Sequence, residues 1–438
     1  MIKKIYNDYL KNEGFLKYFK NTSWLIFERF LRLLSGLIIT IWIARYLGPN
    51  QFGLFSYVQN FAFFFTIVAT FGIDNITIIQ LIKYPKNRDK ILGSSFLIKI
   101  FGSFFAILTV IISFFFTNND SFTNILILII VSSTIFQSLC VIEFFFQATV
   151  KSKYTALANI VSLFISIIIR VVLIATNAPL IAFVVVILVE NVIIVSLLAY
   201  FYFYQKYTIF SWKFDKKTIK LILVDSWPFF LSVMILALHA KIDQIFIKEL
   251  IGNQAVGFYA AATKLSEATY IIPTVIISSL FPSIVNAKKI NEEIFYERIQ
   301  KLYSLVVWFA IVIALLVTCF SESIIKILYK EQFLDASKVL AIHIWSGVFV
   351  AIGILNVRLV TINNKQKQWL LILILGTFIL LTLLYFLISK YGILGASYSV
   401  LISQFLMSII IPLFIKIDKK YIYTILKSLL VYKQGSKN

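Results

Sequence analysis

Long apolar runs separated by short polar breaks dominate the chain from Trp24 to Ile415. A hydrocarbon core of ~30 Å is crossed by about 20 apolar helical residues. Runs of that length occur at residues 24–46, 52–82, 91–117, 122–150, 155–175, 179–205, 219–248, 254–285, 299–320, 334–362, 368–389 and 393–415. The pattern predicts an all-α polytopic membrane protein with about twelve transmembrane helices. The seventh and eighth runs carry the most charge.

Basic residues divide between alternate connections. Lys3, Lys4, Lys11, Lys17 and Lys20 precede the first run, and Lys83, Lys86, Arg88 and Lys90 follow the second. Continuing through every second connection and the tail, this side holds 28 Lys and Arg residues against 6 on the other. Lys and Arg accumulate in cytoplasmic loops. Both termini are therefore expected in the cytoplasm, and only an even number of spans keeps the alternation in phase.

Composition narrows the class. The 438 residues are 60% hydrophobic and 14% charged, against roughly a quarter charged in soluble domains. The net charge of +21 follows from loop sidedness and attraction to anionic headgroups, and no nucleic-acid partner is expected. Cys140 and Cys319 both lie in apolar runs, and His239 and His343 are the only histidines. Neither a disulfide framework nor a metal site is expected. Residues 1–20 are Lys-rich and lack a compact apolar core, so no cleavable leader is expected there. Residues 1–23 read as a cytoplasmic or interfacial segment with Ile5, Leu10, Phe15 and Phe19 on its apolar side.

An offset of 204 residues superimposes two helix ends. Leu47-Gly48 falls on Ile251-Gly252, Gly53 on Gly257, Phe55 on Tyr259 and Ser56 on Ala260. A weaker echo at 214 sets Gln147–Lys153 against Thr361–Lys367. The two echoes predict parallel six-helix halves at 24–205 and 219–415, a basic linker at 206–218 and a basic tail at 416–438. Parallel repeats place a substrate path between the halves, here a central cavity.

Ionisable groups within apolar runs are costly, and they usually face a bundle interior or a water-filled cavity. Arg32, Lys241, Lys264 and Arg358 are candidate cavity cations for an anionic headgroup, since Arg forks onto phosphate. Asp74, Glu143, Asp243 and Glu267 are candidates for a coupling proton or sodium ion. His239 and Asp243, one helical turn apart, allow a proton relay or an ordinary interhelical hydrogen bond. Several of these charges also have local readings. Glu28 and Arg29 fit the headgroup level, Arg170 an outward snorkel, Asp225 a helix cap, and Lys264 with Glu267 a self-satisfying pair. Pro228, Pro273 and Pro282 mark hinges or static kinks in the seventh and eighth runs. No Walker A pattern is present, and loops of ~15–20 residues are too short for a catalytic domain. No enzymatic activity and no cofactor are expected.

Ala44-Arg45-Tyr46-Leu47-Gly48-Pro49 with Phe52-Gly53 and Ser56-Tyr57 resembles the end of span one in Wzx-type polysaccharide flippases. So do Asp243-Gln244, Val256-Gly257-Phe258-Tyr259, Ala260-Ala261-Ala262, Lys264-Leu265, Glu267 and Leu280-Phe281-Pro282-Ser283. These flippases form a branch of the multidrug/oligosaccharidyl-lipid/polysaccharide exporter superfamily. The resemblance implies a V-shaped bundle working by alternating access in a bacterial inner membrane. It also implies an undecaprenyl-pyrophosphate-linked oligosaccharide as cargo and coupling to H+ or Na+. A polysaccharide polymerase and a chain-length regulator are the implied partners. Arg32, Lys264, Glu267 and Arg358 match the family's charged cavity, whereas His239 and Lys241 match no family motif. A multidrug or cation antiporter of the same superfamily is the alternative. A membrane polymerase would need a large outer loop, which the sequence lacks.

Overall fold

The computed structural model describes residues 13–288 and 290–415, with side chains described from residue 21. The side chains of Ile5, Leu10, Phe15 and Phe19, Lys289 and the basic tail 416–438 lie outside the described residues.

The elements among the described residues are helices. In chain order they are α1 (Glu13–Thr70), α2 (Asp74–Lys83), α3 (Arg88–Ser113), α4 (Ser121–Gln137), α5 (Val141–Ala148), α6 (Lys153–Ala175), α7 (Leu180–Tyr204) and α8 (Lys216–Leu250). They continue as α9 (Asn253–Ala268), α10 (Ile271–Lys288), α11 (Glu292–Tyr329), α12 (Ala336–His343), α13 (Ser346–Ile362), α14 (Gln366–Tyr391), α15 (Ile393–Phe405) and α16 (Ile411–Phe414). Eleven helical stretches of the described residues are long and apolar enough to cross a membrane. The first, Asn21–Lys83, has 63 residues, or ~95 Å at 1.5 Å per residue. That is about three core thicknesses, so it must turn within its length. It does so at Gly48, where φ is 71° and ψ is 171°. The stretch therefore contains two spans, which brings the total to the twelve expected.

Both sequence echoes recur as backbone geometry. Gly252, between α8 and α9, has φ 124° and ψ 178°, the counterpart of Gly48. Pro49 follows Gly48 as Asn253 follows Gly252, and proline suits the first turn of a helix because its missing N–H has no partner there. In the second echo, Val150 and Asn364 take φ values of 58° and 55°. The Lys151 N–H donates to the Phe146 carbonyl at 2.8 Å, and the Lys365 N–H donates to the Val360 carbonyl at 2.9 Å. Each bond runs back five residues over a left-handed residue, the Schellman way of ending a helix.

Five of the six even-numbered spans are interrupted in ways that periodicity did not show; the sixth span, α7, is continuous. Span two breaks at Phe71-Gly72, and span four has a 3-10 turn at Ser138–Cys140. Span eight breaks between Ala268 and Ile271, and span ten between His343 and Ser346. Span twelve carries a π-helical turn, Leu406–Ile410. Pro273 is consequently not a mid-helix kink. It lies in the first turn of α10, where no N–H is needed, while Pro228 and Pro282 lie inside α8 and α10.

Two compact units divide the chain. The first holds the described residues up to Tyr46 together with Val58–Met234; the second holds Leu47–Tyr57 and the described residues from Ile235 onward. The division falls inside α8 rather than at 206–218. The reason is local packing. Trp212 is buried in the first unit's core with Ile222, Phe145, Phe146 and Tyr202. Its indole N–H donates to the Tyr202 hydroxyl at 3.3 Å, and the Arg88 guanidinium lies 4.6 Å from the Tyr207 ring centroid. The Lys213 N–H donates to the Asp89 carbonyl at 3.0 Å. The expected linker is thus docked on α3. The second unit's core is built from Ile277, Tyr303, Val307, Ile352, Leu355 and Ile372.

Asp215, not Asp225, caps α8. Its Oδ2 accepts from the Thr218 N–H at 2.9 Å and from the Thr218 hydroxyl at 2.6 Å. These two bonds hold its carboxyl below the usual aspartate range. Asp225 lies one helical stretch later, exposed on the side of α8.

Candidate functional site

In the first unit the intramembrane charges form two clusters. Arg32 Nε donates to Glu28 Oε1 at 2.8 Å across one turn of α1, and an Arg32 terminal nitrogen lies 4.0 Å from Glu190 Oε1 on α7. Arg170 on α6 reaches the same Glu190 at 2.9 Å and also donates to the Ser166 hydroxyl. Two arginines and two carboxylates therefore balance. Glu28 is buried, and Arg170 turns to Glu190 and Ser166 rather than outward. The desolvation cost of a buried charge is met only by a partner with good geometry, and Glu190 provides one.

Asp74 heads the second cluster at the first turn of α2. Lys99 Nζ on α3 lies 3.1 Å from Asp74 Oδ1 and 4.8 Å from the Phe144 ring centroid. Glu143 accepts from the Gln147 amide at 2.9 Å within α5. Lys99 was not singled out in the sequence, although a lysine in the middle of the third run is itself a signal. Its side chain is 7% exposed against 47% for Asp74. The carboxylate is the accessible member of the pair.

In the second unit, Lys241 Nζ on α8 lies 3.2 Å from both oxygens of Glu267 on α9. Glu267 is thereby paired across helices, not with Lys264 on its own helix. Lys264 and Arg358 are exposed, and neither has an ion-pair partner among the described residues. Asp243 is buried; its Oδ2 accepts from the Tyr259 hydroxyl at 2.7 Å and its Oδ1 from the Gln244 N–H at 2.8 Å. His239 meets the Thr377 hydroxyl at 3.4 Å and the Gln404 amide at 3.1 Å. The relay geometry between His239 and Asp243 is absent: one turn on a helix sets spacing, but the two side chains are claimed by different neighbours. His343 contacts Ser266 Oγ at 3.0 Å.

A buried polar chain also ties the second unit together. The Tyr303 hydroxyl donates to Asn356 Oδ1 at 2.7 Å, and the Asn356 amide donates to the Ser408 carbonyl at 2.9 Å. Ser408 lies in the π-helical turn, where the shifted ladder leaves carbonyls open to such donors. No group of three or more His, Cys, Asp or Glu side chains suited to a metal occurs among the described residues.

The chain is similar to several known proteins. A protein of Shigella flexneri named "Putative O-antigen transporter" is 26% identical over 158 residues, 36% of this chain. The match spans 37% of that relative's length. In fold, the chain is similar to the lipid II flippase MurJ in an inward closed conformation, with a TM-score of 0.71 at 18% identity over 92% of this chain and 90% of that one. It is equally similar to an inward-facing multidrug resistance MATE family transporter of the MOP superfamily, with a TM-score of 0.71 at 14% identity over 90% and 96% of the two chains. Both likenesses concern the fold, which is that of a multi-pass membrane protein. The family model described as "Polysaccharide biosynthesis protein" matches residues 18–288, more than half of the sequence, and this chain belongs to that family.

Proposed function

We propose that the protein is a flippase for undecaprenyl-pyrophosphate-linked oligosaccharide repeat units. It carries them from the cytoplasmic to the outer leaflet of a bacterial inner membrane for O-antigen or capsule synthesis, with both termini cytoplasmic. Membership in a polysaccharide biosynthesis family and a relative named as an O-antigen transporter support this reading. The observation that carries it is the set of charges described above for α8, α9 and α13. Lys241, Lys264 and Arg358 stand there against the accessible Glu267, which Lys241 already neutralises, and the buried, hydrogen-bonded Asp243. Lys264 and Arg358 remain for a ligand's negative charge, and a pyrophosphate supplies it. An exporter of cationic drugs would need the opposite excess, so the MATE-like fold does not by itself favour the antiporter.

Asp74 is the proposed coupling carboxylate, because it is accessible and its partner Lys99 can hold the positive charge when a proton or sodium ion leaves. Glu143, Asp243 and Glu267 are internally bonded and act in this reading as supports. A polymerase and a chain-length regulator would receive the cargo. No step of this reading requires bond chemistry from the chain.

The test is complementation of a strain lacking its repeat-unit flippase. Restored surface polysaccharide is expected from the wild type, and its loss at unchanged protein level from Lys264→Ala and Arg358→Ala. Drug efflux without restored polysaccharide would overturn the proposal in favour of an antiporter.

A further inference from the structure

Four connections of the second unit converge on one open cavity of about 740 Å³. Asn50 comes from the Gly48 elbow, Asn253 and Gln254 from the Gly252 elbow, Asp335 and Lys338 from the turn entering α12, and Tyr391 from the end of α14. All four connections belong to the side that the Lys and Arg count makes outward-facing. The volume falls within the roughly 300–1,000 Å³ of small-molecule sites.

The lining chemistry selects among ligands. Three carboxamides supply donors and acceptors together, Asp335 accepts, and Lys338 donates. The acid and the lysine balance, so neither a lone anion nor a cation is favoured. Ile251, Phe258, Ile393 and Leu394 complete the wall, so the lining is amphipathic and suits neither a bare acyl chain nor a wholly polar ion. Asn253 stands at the cavity wall, partly buried, and its Oδ1 has no hydrogen-bond partner among the described residues. Tyr391 is 49% exposed. Its ring is held by an edge contact with Tyr398 at 6.3 Å and by Lys390 at 5.3 Å, so it is a fixed amphipathic surface.

Hydroxyl-rich molecules with one apolar face satisfy all of these features at once. The geometry points to a saccharide-binding site on the outer face of the second unit, formed by Asn50, Asn253, Gln254 and Tyr391. It rests on the flippase reading for its ligand's identity: the sugar portion of the cargo after transfer, held apart from its lipid pyrophosphate. The amides take sugar hydroxyls, and the Tyr391 ring takes a C–H face of one residue.

The experiment uses the full chain in nanodiscs and, as probe, the oligosaccharide released by mild acid from the surface polysaccharide of the source strain. Saturation-transfer NMR reads binding by the wild type, Tyr391→Ala and Gln254→Ala. Both side chains are exposed, and unchanged thermal unfolding checks that the variants are folded. Saturable binding by the wild type and at least fivefold weaker binding by both variants is expected. No saturable binding, or equal binding by all three proteins, overturns the site while leaving complementation of the flippase-deficient strain as it was. Failed complementation with variant-sensitive binding overturns the flippase reading instead.

Discussion

Gly53 packs against Asn253 so closely that a Cβ on the glycine would overlap the Asn253 carbonyl oxygen, and a Cβ on Gly257 would overlap the Pro49 carbonyl oxygen. The two contacts are one contact repeated, because Gly257 and Asn253 are the 204-residue counterparts of Gly53 and Pro49. The two elbows therefore meet reciprocally within the second unit. Gly53→Ala or Gly257→Ala is expected to destabilise the second unit by about 1–3 kcal/mol through overpacking. Because the residues share one contact, the double variant should cost less than the sum. Thermal unfolding in detergent measures both, and strict additivity would show the contact to be absent.

Glu190 serves two arginines. Glu190→Gln removes the shared carboxylate and leaves Arg170, 14% exposed, without its counter-charge. The expected cost is roughly 3 kcal/mol, the scale for breaking one partner of a buried pair. Arg32→Ala should cost less, because Arg32 is 40% exposed and can reach water. Equal unfolding temperatures for the two variants would contradict this order.

Variants of Asp74 and Lys99 can separate stability from the coupling role proposed for Asp74. Asp74→Asn should lower both protein stability and polysaccharide export, since it strands a buried lysine. The double variant Asp74→Asn with Lys99→Met restores the charge balance and should recover the unfolding temperature without recovering export. Full export by the double variant would remove Asp74 from the coupling role.

Val150 holds a left-handed conformation that β-branched residues resist, whereas its repeat counterpart is Asn364. Val150→Asn should therefore stabilise the protein by about 1 kcal/mol, since asparagine tolerates that conformation. An unchanged or lowered unfolding temperature would argue against strain at this turn.

Asp215 gives a pH signature. Its folded-state pKa is lowered by the Thr218 bonds, so the stability it contributes is present above the unfolded aspartate pKa, ~3.9. That contribution is lost as pH falls through the lower folded value. Amide protection factors at the start of α8, taken relative to the intrinsic exchange rate at each pH, should fall on acidification in the wild type. In Asp215→Asn they should already be lower at neutral pH and respond less to acid.

The sequence alone determined the twelve apolar runs, the alternation of basic and non-basic connections and the two repeat signals. These follow from one-dimensional facts: a span needs a fixed run of apolar residues, lysines stay on one side, and a turn beyond a helix end favours glycine. The same local logic reached the turns at Gly48, Gly252 and Asn364. Tertiary structure decided how the charges are shared. Glu267 pairs with Lys241 instead of Lys264, Glu190 gathers Arg32 and Arg170, and His239 and Asp243 part company despite their spacing. Helical periodicity states which residues share a face, but not which neighbour that face meets. The breaks in spans two, four, eight and ten were hidden for a related reason. A helix interrupted inside a protein remains apolar, and the interruption is held by contacts from distant segments, such as the close approach of Gly102 to the Ala69 carbonyl below the Phe71-Gly72 turn.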